Sequence, residues 1–135
     1  MIGTGYVGLV SGTCFADLGN KVYCVDKDKS KINKLKKAIS PIYEPGLKDL
    51  IRNNLRAKRL FFTDDLKKAI QESQIIFICV GTPTKKGSNL VDLSQVYSVT
   101  KSISKYIKSY KIIVTKSTVP VTTGDQIEKI ICKKV

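Results

Sequence analysis

A chain of 135 residues has room for one domain with a real core, and 42% hydrophobic and 26% charged residues are ordinary for a soluble globular protein. The longest unbroken apolar run, Ile75 to Val80, is far too short to cross a bilayer, and a Gly-rich turn stands where a signal peptide needs its apolar stretch, so a cytoplasmic location is expected. The net charge of +13 comes from 24 basic residues, of which Arg52, Arg56 and Arg59 are arginines and the other 21 lysines spread over helix faces; this predicts a solvated basic surface, with no nucleic-acid or membrane partner.

Cys14, Cys24, Cys79 and Cys132 show no CxxC pair, and the chain has no histidine. Neither a metal site nor a disulfide framework is expected. Each cysteine lies within an apolar stretch and is expected to be a small buried hydrophobe.

Short apolar runs alternate with amphipathic stretches, the pattern of βαβ units around a parallel sheet. The first helix is predicted from about Tyr6 to Leu18, stopped by Gly19 and Asn20. Val22 to Val25 form a strand ending at Asp26, and Asp28 or Ser30 caps a helix whose apolar face is Ile32, Leu35, Ala38 and Ile39. Ser40 to Gly46 is an irregular connection, because Pro41 and Pro45 forbid a continuous helix. Leu47 to Leu55 reads as a helix and Leu60 to Thr63 as a strand, with Thr63 or Asp64 capping a short helix through Leu66, Ala69 and Ile70. Ile75 to Val80 is predicted as a strand covered on both faces. Ser94 opens a helix carrying Val96, Val99, Ile103, Tyr106 and Ile107; Ile112 to Val114 form the last strand, and Gly124 to Lys133 a helix with Ile127, Ile130 and Ile131 inward. Only Met1 and Ile2 precede the glycine turn, so the central strand is expected to be shortened.

Gly3, Gly5 and Gly8 fit the G-x-G-x-x-G dinucleotide fingerprint: a tight turn, close approach of backbone to a pyrophosphate, and close packing of helix on strand. The following helix offers free N–H groups and its positive dipole end to the phosphates. Asp26, eighteen positions after Gly8, ends the next strand where a carboxylate meets the adenosine ribose. It accepts from ribose hydroxyls and repels a 2′-phosphate, which favours NAD over NADP. The fold class is therefore α/β, a Rossmann-type doubly wound parallel sheet in three layers. Two further strand ends, Gly81-Thr82-Pro83-Thr84 and Thr115-Lys116-Ser117-Thr118, place hydroxyls on the rim; by spacing alone these read equally as turn and capping residues. The chain holds no Ser/His/Asp set, and no cysteine sits where a strand end or helix start would activate it.

With these residues assembled, the sequence closely resembles the N-terminal domain of the UDP-glucose 6-dehydrogenase family, within the wider group of nucleotide-sugar dehydrogenases. The likeness rests on IGTGYVGLVSGTCFADLG (Ile2 to Gly19), VDKDKSKI (Val25 to Ile32), SPIYEPGL (Ser40 to Leu47), FICVGTPT (Phe77 to Thr84) and VTKSTVP (Val114 to Pro120). It implies a cytosolic enzyme that oxidises the C6 alcohol of UDP-glucose to a carboxylate and reduces two NAD. It also implies that Val7 and its neighbour Tyr6 line the pyrophosphate turn, that Asp26 and Lys31 hold the adenosine end, and that Thr82 and Thr118 approach the cofactor further along, Thr118 nearest the chemistry. The family's cysteine nucleophile, general-base lysine and most sugar-nucleotide contacts lie beyond the matching segments. Residues 1–135 are thus expected to be an NAD-binding domain that binds without turnover and holds no catalytic residue of its own. A sister GDP-mannose or UDP-N-acetyl-sugar dehydrogenase and a non-catalytic Rossmann module are the alternatives. Thr122 stands where the family commonly has glycine, and Asn89-Leu90-Val91 departs from its usual small residues.

Overall fold

The computed structural model describes residues 1–133. In chain order the elements are α1 (Tyr6–Asp17), β1 (Val22–Val25), α2 (Lys29–Lys36), α3 (Leu47–Arg56), β2 (Leu60–Thr63), α4 (Leu66–Glu72), β3 (Ile75–Ile78), α5 (Ser94–Tyr106), β4 (Ile112–Thr115) and α6 (Thr123–Cys132). β1 pairs in parallel with β2, Val22 opposite Leu60 through Val25 opposite Thr63. β3 pairs in parallel with β4, Ile75 opposite Ile112 through Ile78 opposite Thr115.

Met1 to Gly3 joins these two pairs into one sheet. Ile2 bridges Val25 on one side and Ile78 on the other, both in parallel. The Ile2 N–H donates to the Phe77 carbonyl and the Cys79 N–H to the Ile2 carbonyl, each at 2.8 Å; on the other edge the Val25 N–H meets the Met1 carbonyl at 2.9 Å. The expected short central strand is thus a single bridged residue, and the order across the sheet is β2, β1, Met1–Gly3, β3, β4.

Helices cover both faces, which makes the fold three-layered. Val22 and Cys24 of β1 pack with Leu9 and Ala16 of α1, Ile32 and Leu35 of α2, and Leu47 and Ile51 of α3. The alternate residues Tyr23 and Val25 face Ala69 of α4, so every residue of β1 is buried. On the β3 side, Ile2, Ile76 and Ile78 pack with Val96 and Ile103 of α5 and Ile127 of α6. Burying strand side chains on both faces supplies the main driving force, about 25 cal/mol per Å² of apolar surface removed from water. No helix among the described residues is long and apolar enough to cross a membrane.

Several local expectations are corrected. α2 ends at Lys36 because Ala38 turns left-handed, at φ +57°; Ala38 stays buried, but Ile39 is carried out to solvent. Asp28 caps α2 by accepting the Lys31 N–H at 3.0 Å, whereas α4 is capped by Asp65, accepting the Lys68 N–H at 2.9 Å, and not by Thr63 or Asp64. β3 stops at Ile78, two residues early, as Cys79 and Val80 turn onto the rim; at its other end Ile75 is half-exposed beside its partner Ile112, beyond the helix cover. Ile107 follows α5 in an extended conformation. Cys24 and Cys79 are buried as expected, but Cys14 and Cys132 are exposed, because Cys14 lies off the Leu9–Thr13–Ala16 face of α1 and Cys132 ends α6 beyond its buried stripe. Thr122 holds ordinary backbone at φ −85° and precedes α6, so that position does not require glycine. Asn89 to Val91 belong to a small turn closed by a Thr84–Val91 bridge.

Candidate functional site

From its centre the chain winds outwards through α1 to β1 and β2, then crosses by way of α4 to β3 on the opposite side. The carboxyl end of the Met1–Gly3 segment, between β1 and β3, is therefore the topological switch point, where open α/β sheets bind ligands. A cleft of about 640 Å³ opens there, within the usual range of small-molecule sites. It is lined by the turn (Gly3, Thr4, Gly5), the end of β1 (Asp26, Lys27, Lys31), the end of β3 (Cys79, Val80, Gly81) and one side of α5.

The turn is shaped by close contacts. Gly3 has φ +103°, and a Cβ there would lie 2.7 Å from the Cys79 carbonyl oxygen; one on Gly8 would lie 1.9 Å from the Gly3 carbonyl oxygen. Gly5 differs, since a Cβ there would meet nothing within 4 Å. Gly5 is also the N-cap of α1, with no side chain capping that helix and no acidic residue in its first turn. Uncapped amides, a helix dipole and an unobstructed backbone flank together suit an anion such as a diphosphate.

Asp26 stands across the cleft. Its Oδ2 accepts from the Thr4 hydroxyl at 2.7 Å, the Thr4 N–H at 3.1 Å and the Lys31 ammonium at 3.0 Å; its Oδ1 accepts from the Asp28 N–H at 3.0 Å. Burial alone would raise the carboxyl's pKa. The Thr4 hydroxyl, the Asp28 amide, Lys31 and the Thr4 amide outweigh it and hold the group at about 2, a permanent carboxylate at neutral pH. Lys29 pairs with Asp64 at 3.6 Å on the same rim.

Gly3, Gly5, Asp26 and Lys31 thus meet in one cleft, with Gly8 beneath the turn. Tyr6 and Val7 lie on the exposed flank of the first turn of α1, outside the cleft lining, where the Tyr6 hydroxyl donates to Glu44 of the irregular connection. Thr82 and Thr118 also fall outside that lining, but are brought to each other across the ends of β3 and β4, their hydroxyls 3.0 Å apart. Ser117 braces this approach by donating to the Val80 carbonyl at 2.7 Å. Cys79 lines the cleft, yet burial pushes its thiol up, the opposite of an activated nucleophile. Among the described residues no cluster of three or more His, Cys, Asp or Glu could hold a metal.

Two features escape sequence reasoning. Thr4, in the variable position of the first G-x-G, is buried against Asp26. Ser94, Ser98 and Ser102 of α5 line the cleft with Gln95, and their four-residue spacing, offset from the apolar stripe, was the available signal.

A parallel doubly wound sheet, an uncapped helix start on a glycine turn and an ionised acid at the next strand end define a dinucleotide-binding domain of the dehydrogenase kind. The chain belongs to the UDP-glucose/GDP-mannose dehydrogenase family and is its NAD-binding domain, matched over residues 1–135. It is 55% identical over 131 residues to a UDP-glucose 6-dehydrogenase of Rhizobium meliloti, covering 97% of this chain and 30% of that protein. It is 54% identical over 133 residues to a UDP-glucose 6-dehydrogenase of Bacillus subtilis, covering 98% of this chain and 29% of the relative. Among solved structures, GDP-mannose dehydrogenase of Pseudomonas aeruginosa superposes with a TM-score of 0.91 at 37% identity, covering 98% of this chain and 32% of that one. The chain therefore spans about a third or less of the length of the proteins it matches.

Proposed function

We propose that NAD lies along the rim of this cleft. The pyrophosphate rests on the turn from Gly3 to Gly8, against the start of α1 at Gly5, Tyr6 and Val7. Asp26 and Lys31 hold the adenosine ribose, and Thr82 and Thr118 approach the nicotinamide end, Thr118 nearest the reacting atoms. The observation that carries this reading is the ionised Asp26 facing an open-flanked glycine turn across the switch point. A fixed carboxylate accepts a ribose hydroxyl and repels a 2′-phosphate, so NAD is favoured over NADP. Bound there, NAD supplies a hydride acceptor; this chain's residues bind and orient it.

We further infer that the whole enzyme oxidises the C6 alcohol of UDP-glucose to the carboxylate of UDP-glucuronate, using two NAD. Identities of 55% and 54% to UDP-glucose 6-dehydrogenases support that substrate. The sugar-nucleotide contacts and the nucleophile are assigned to a further domain, in keeping with the 29–30% of those relatives that this chain covers. A GDP-mannose substrate is the second reading, favoured by the structural likeness to GDP-mannose dehydrogenase. A cytoplasmic location without nucleic-acid partners fits the lysine-rich surface.

Turnover with NAD on UDP-glucose, GDP-mannose and a UDP-N-acetyl sugar, by an enzyme carrying this domain, tests the assignment. Preference for UDP-glucose by at least tenfold in kcat/KM is expected. Preference for another sugar overturns it.

A further inference from the structure

Thr4 occupies a position that the dinucleotide fingerprint leaves open, yet it is 1% exposed and directs both its donors at a single atom, Asp26 Oδ2. With Lys31 that oxygen receives three donors, all in partly buried contacts, while Oδ1 receives one, at the exposed side. A carboxylate oxygen offers about two lone-pair directions. Oδ2 is therefore saturated inside the protein, and Oδ1 keeps acceptor capacity for a ligand.

We infer that Thr4 is a positioning residue for cofactor choice: its hydroxyl and amide fix Asp26 Oδ2, which presents Oδ1 to the ribose and favours a 2′-hydroxyl over a 2′-phosphate. This rests on the reading of Asp26 as the ribose acceptor. The low carboxyl pKa of Asp26, to which Thr4 contributes twice, agrees with it. Remove the hydroxyl, and Lys31 becomes the only side chain on Oδ2. A lysine is a mobile point charge on a flexible stem, which a 2′-phosphate can draw away from the carboxylate. The Thr4 hydroxyl, uncharged and buried, offers no such escape.

The test is calorimetric titration of the 135-residue chain with NADH and with NADPH, for the wild type, Thr4→Val, Thr4→Ser and Asp26→Ala. A hydrogen bond to a charged group corresponds to about tenfold in an equilibrium constant. Thr4→Val, isosteric and lacking only the hydroxyl, is expected to lower the ratio of NADH to NADPH affinity about tenfold. Thr4→Ser, which restores the donor, is expected to keep the ratio within about twofold of the wild type. Damage to the fold alone would weaken both cofactors alike and leave the ratio unmoved. If Thr4→Val does not fold by circular dichroism, Thr4→Ala carries the same expectation. Failure of both to fold overturns the inference, because a residue that only orients a carboxylate is dispensable to the fold. An unchanged ratio in Thr4→Val, with a collapsed ratio in Asp26→Ala, overturns the role of Thr4 and leaves Asp26 as the ribose acceptor. An unchanged ratio in Asp26→Ala overturns both.

Discussion

Gly8 is pressed against the carbonyl oxygen of Gly3, so closely that a Cβ would sit 1.9 Å away, whereas Gly5 between them faces open space. One glycine is demanded by the fold and the other, on this reading, by the ligand. Gly8→Ala is therefore expected to cost about 3 kcal/mol or more, because the obstructing atom is backbone and cannot swing aside. Gly5, at φ −68°, accommodates alanine without strain. Gly5→Ala is expected to keep its melting temperature within a few degrees, yet bind NADH at least about tenfold more weakly. Thermal melts and NADH titration of both variants check the contrast; equal destabilisation by the two would contradict it.

Gly12 lets α1 settle onto β1. A Cβ there would lie 2.6 Å from Cys24 Sγ and 2.9 Å from Met1 Cγ, both side-chain atoms. Gly12→Ala should then destabilise by about 1–3 kcal/mol through overpacking. Adding Cys24→Ala removes the nearest atom, and urea unfolding of the double variant should recover part of the loss. Strict additivity of the two changes would rule out the contact.

Among the described residues Asn54 is the largest fully buried polar side chain, and it ties three segments together. Its amide donates to Asp17 Oδ1 at 3.0 Å and the Leu50 carbonyl at 2.9 Å, and its oxygen accepts from Arg59 Nε at 3.1 Å. Arg59 in turn reaches the Ala16 carbonyl near the end of α1 at 3.0 Å. Asn54→Leu would remove these bonds and leave Arg59 Nε only the Ala16 carbonyl, at an expected cost of about 1–3 kcal/mol. The urea midpoint should fall with the slope m unchanged.

How far the molecule could be read in advance depends on where the signal lay. β2 emerged residue for residue, and Asp26 was placed because an acid directly follows Val25 in an apolar strand. Periodicity reports which residues are apolar, not where a helix ends or which way each of its residues faces. Ile39 continued the stripe of α2 in sequence, but the left-handed turn at Ala38 had already stopped the helix. Cys14 sits among apolar neighbours in sequence and off the buried face in space. Thr4 carried no signal at all, since its importance arises from Asp26, 22 positions away, folding back against it.

Acid should weaken the site's contribution to stability. The Asp26 carboxyl is held at about 2, below its ordinary 3.8. A depressed carboxyl pKa contributes stability that is fully present above the unfolded value and is lost as pH falls through the folded one. The window is thus from about pH 4 down to about pH 2. The full shift corresponds to about 2.5 kcal/mol, and screening at the open cleft reduces it to roughly 1 kcal/mol. Of the groups around it, the Thr4 hydroxyl and the Asp28 amide donate to it, Lys31 pairs with it at 3.0 Å, and Asp28 and Asp64 are carboxyls nearby. Comparison with Asp26→Asn isolates the Asp26 contribution. Melting temperatures of the two proteins should differ at pH 5 and converge towards pH 2; a gap constant across that range would contradict the linkage.

NADH and NADPH titrated calorimetrically into this chain, and again into Asp26→Ala, go straight to whether the cleft reads a ribose through that carboxylate. Saturable NADH binding, much weaker NADPH binding, and loss of that preference in the variant are the predicted result. Binding of NADH that is indifferent to the carboxylate, or no binding of either dinucleotide, would contradict it.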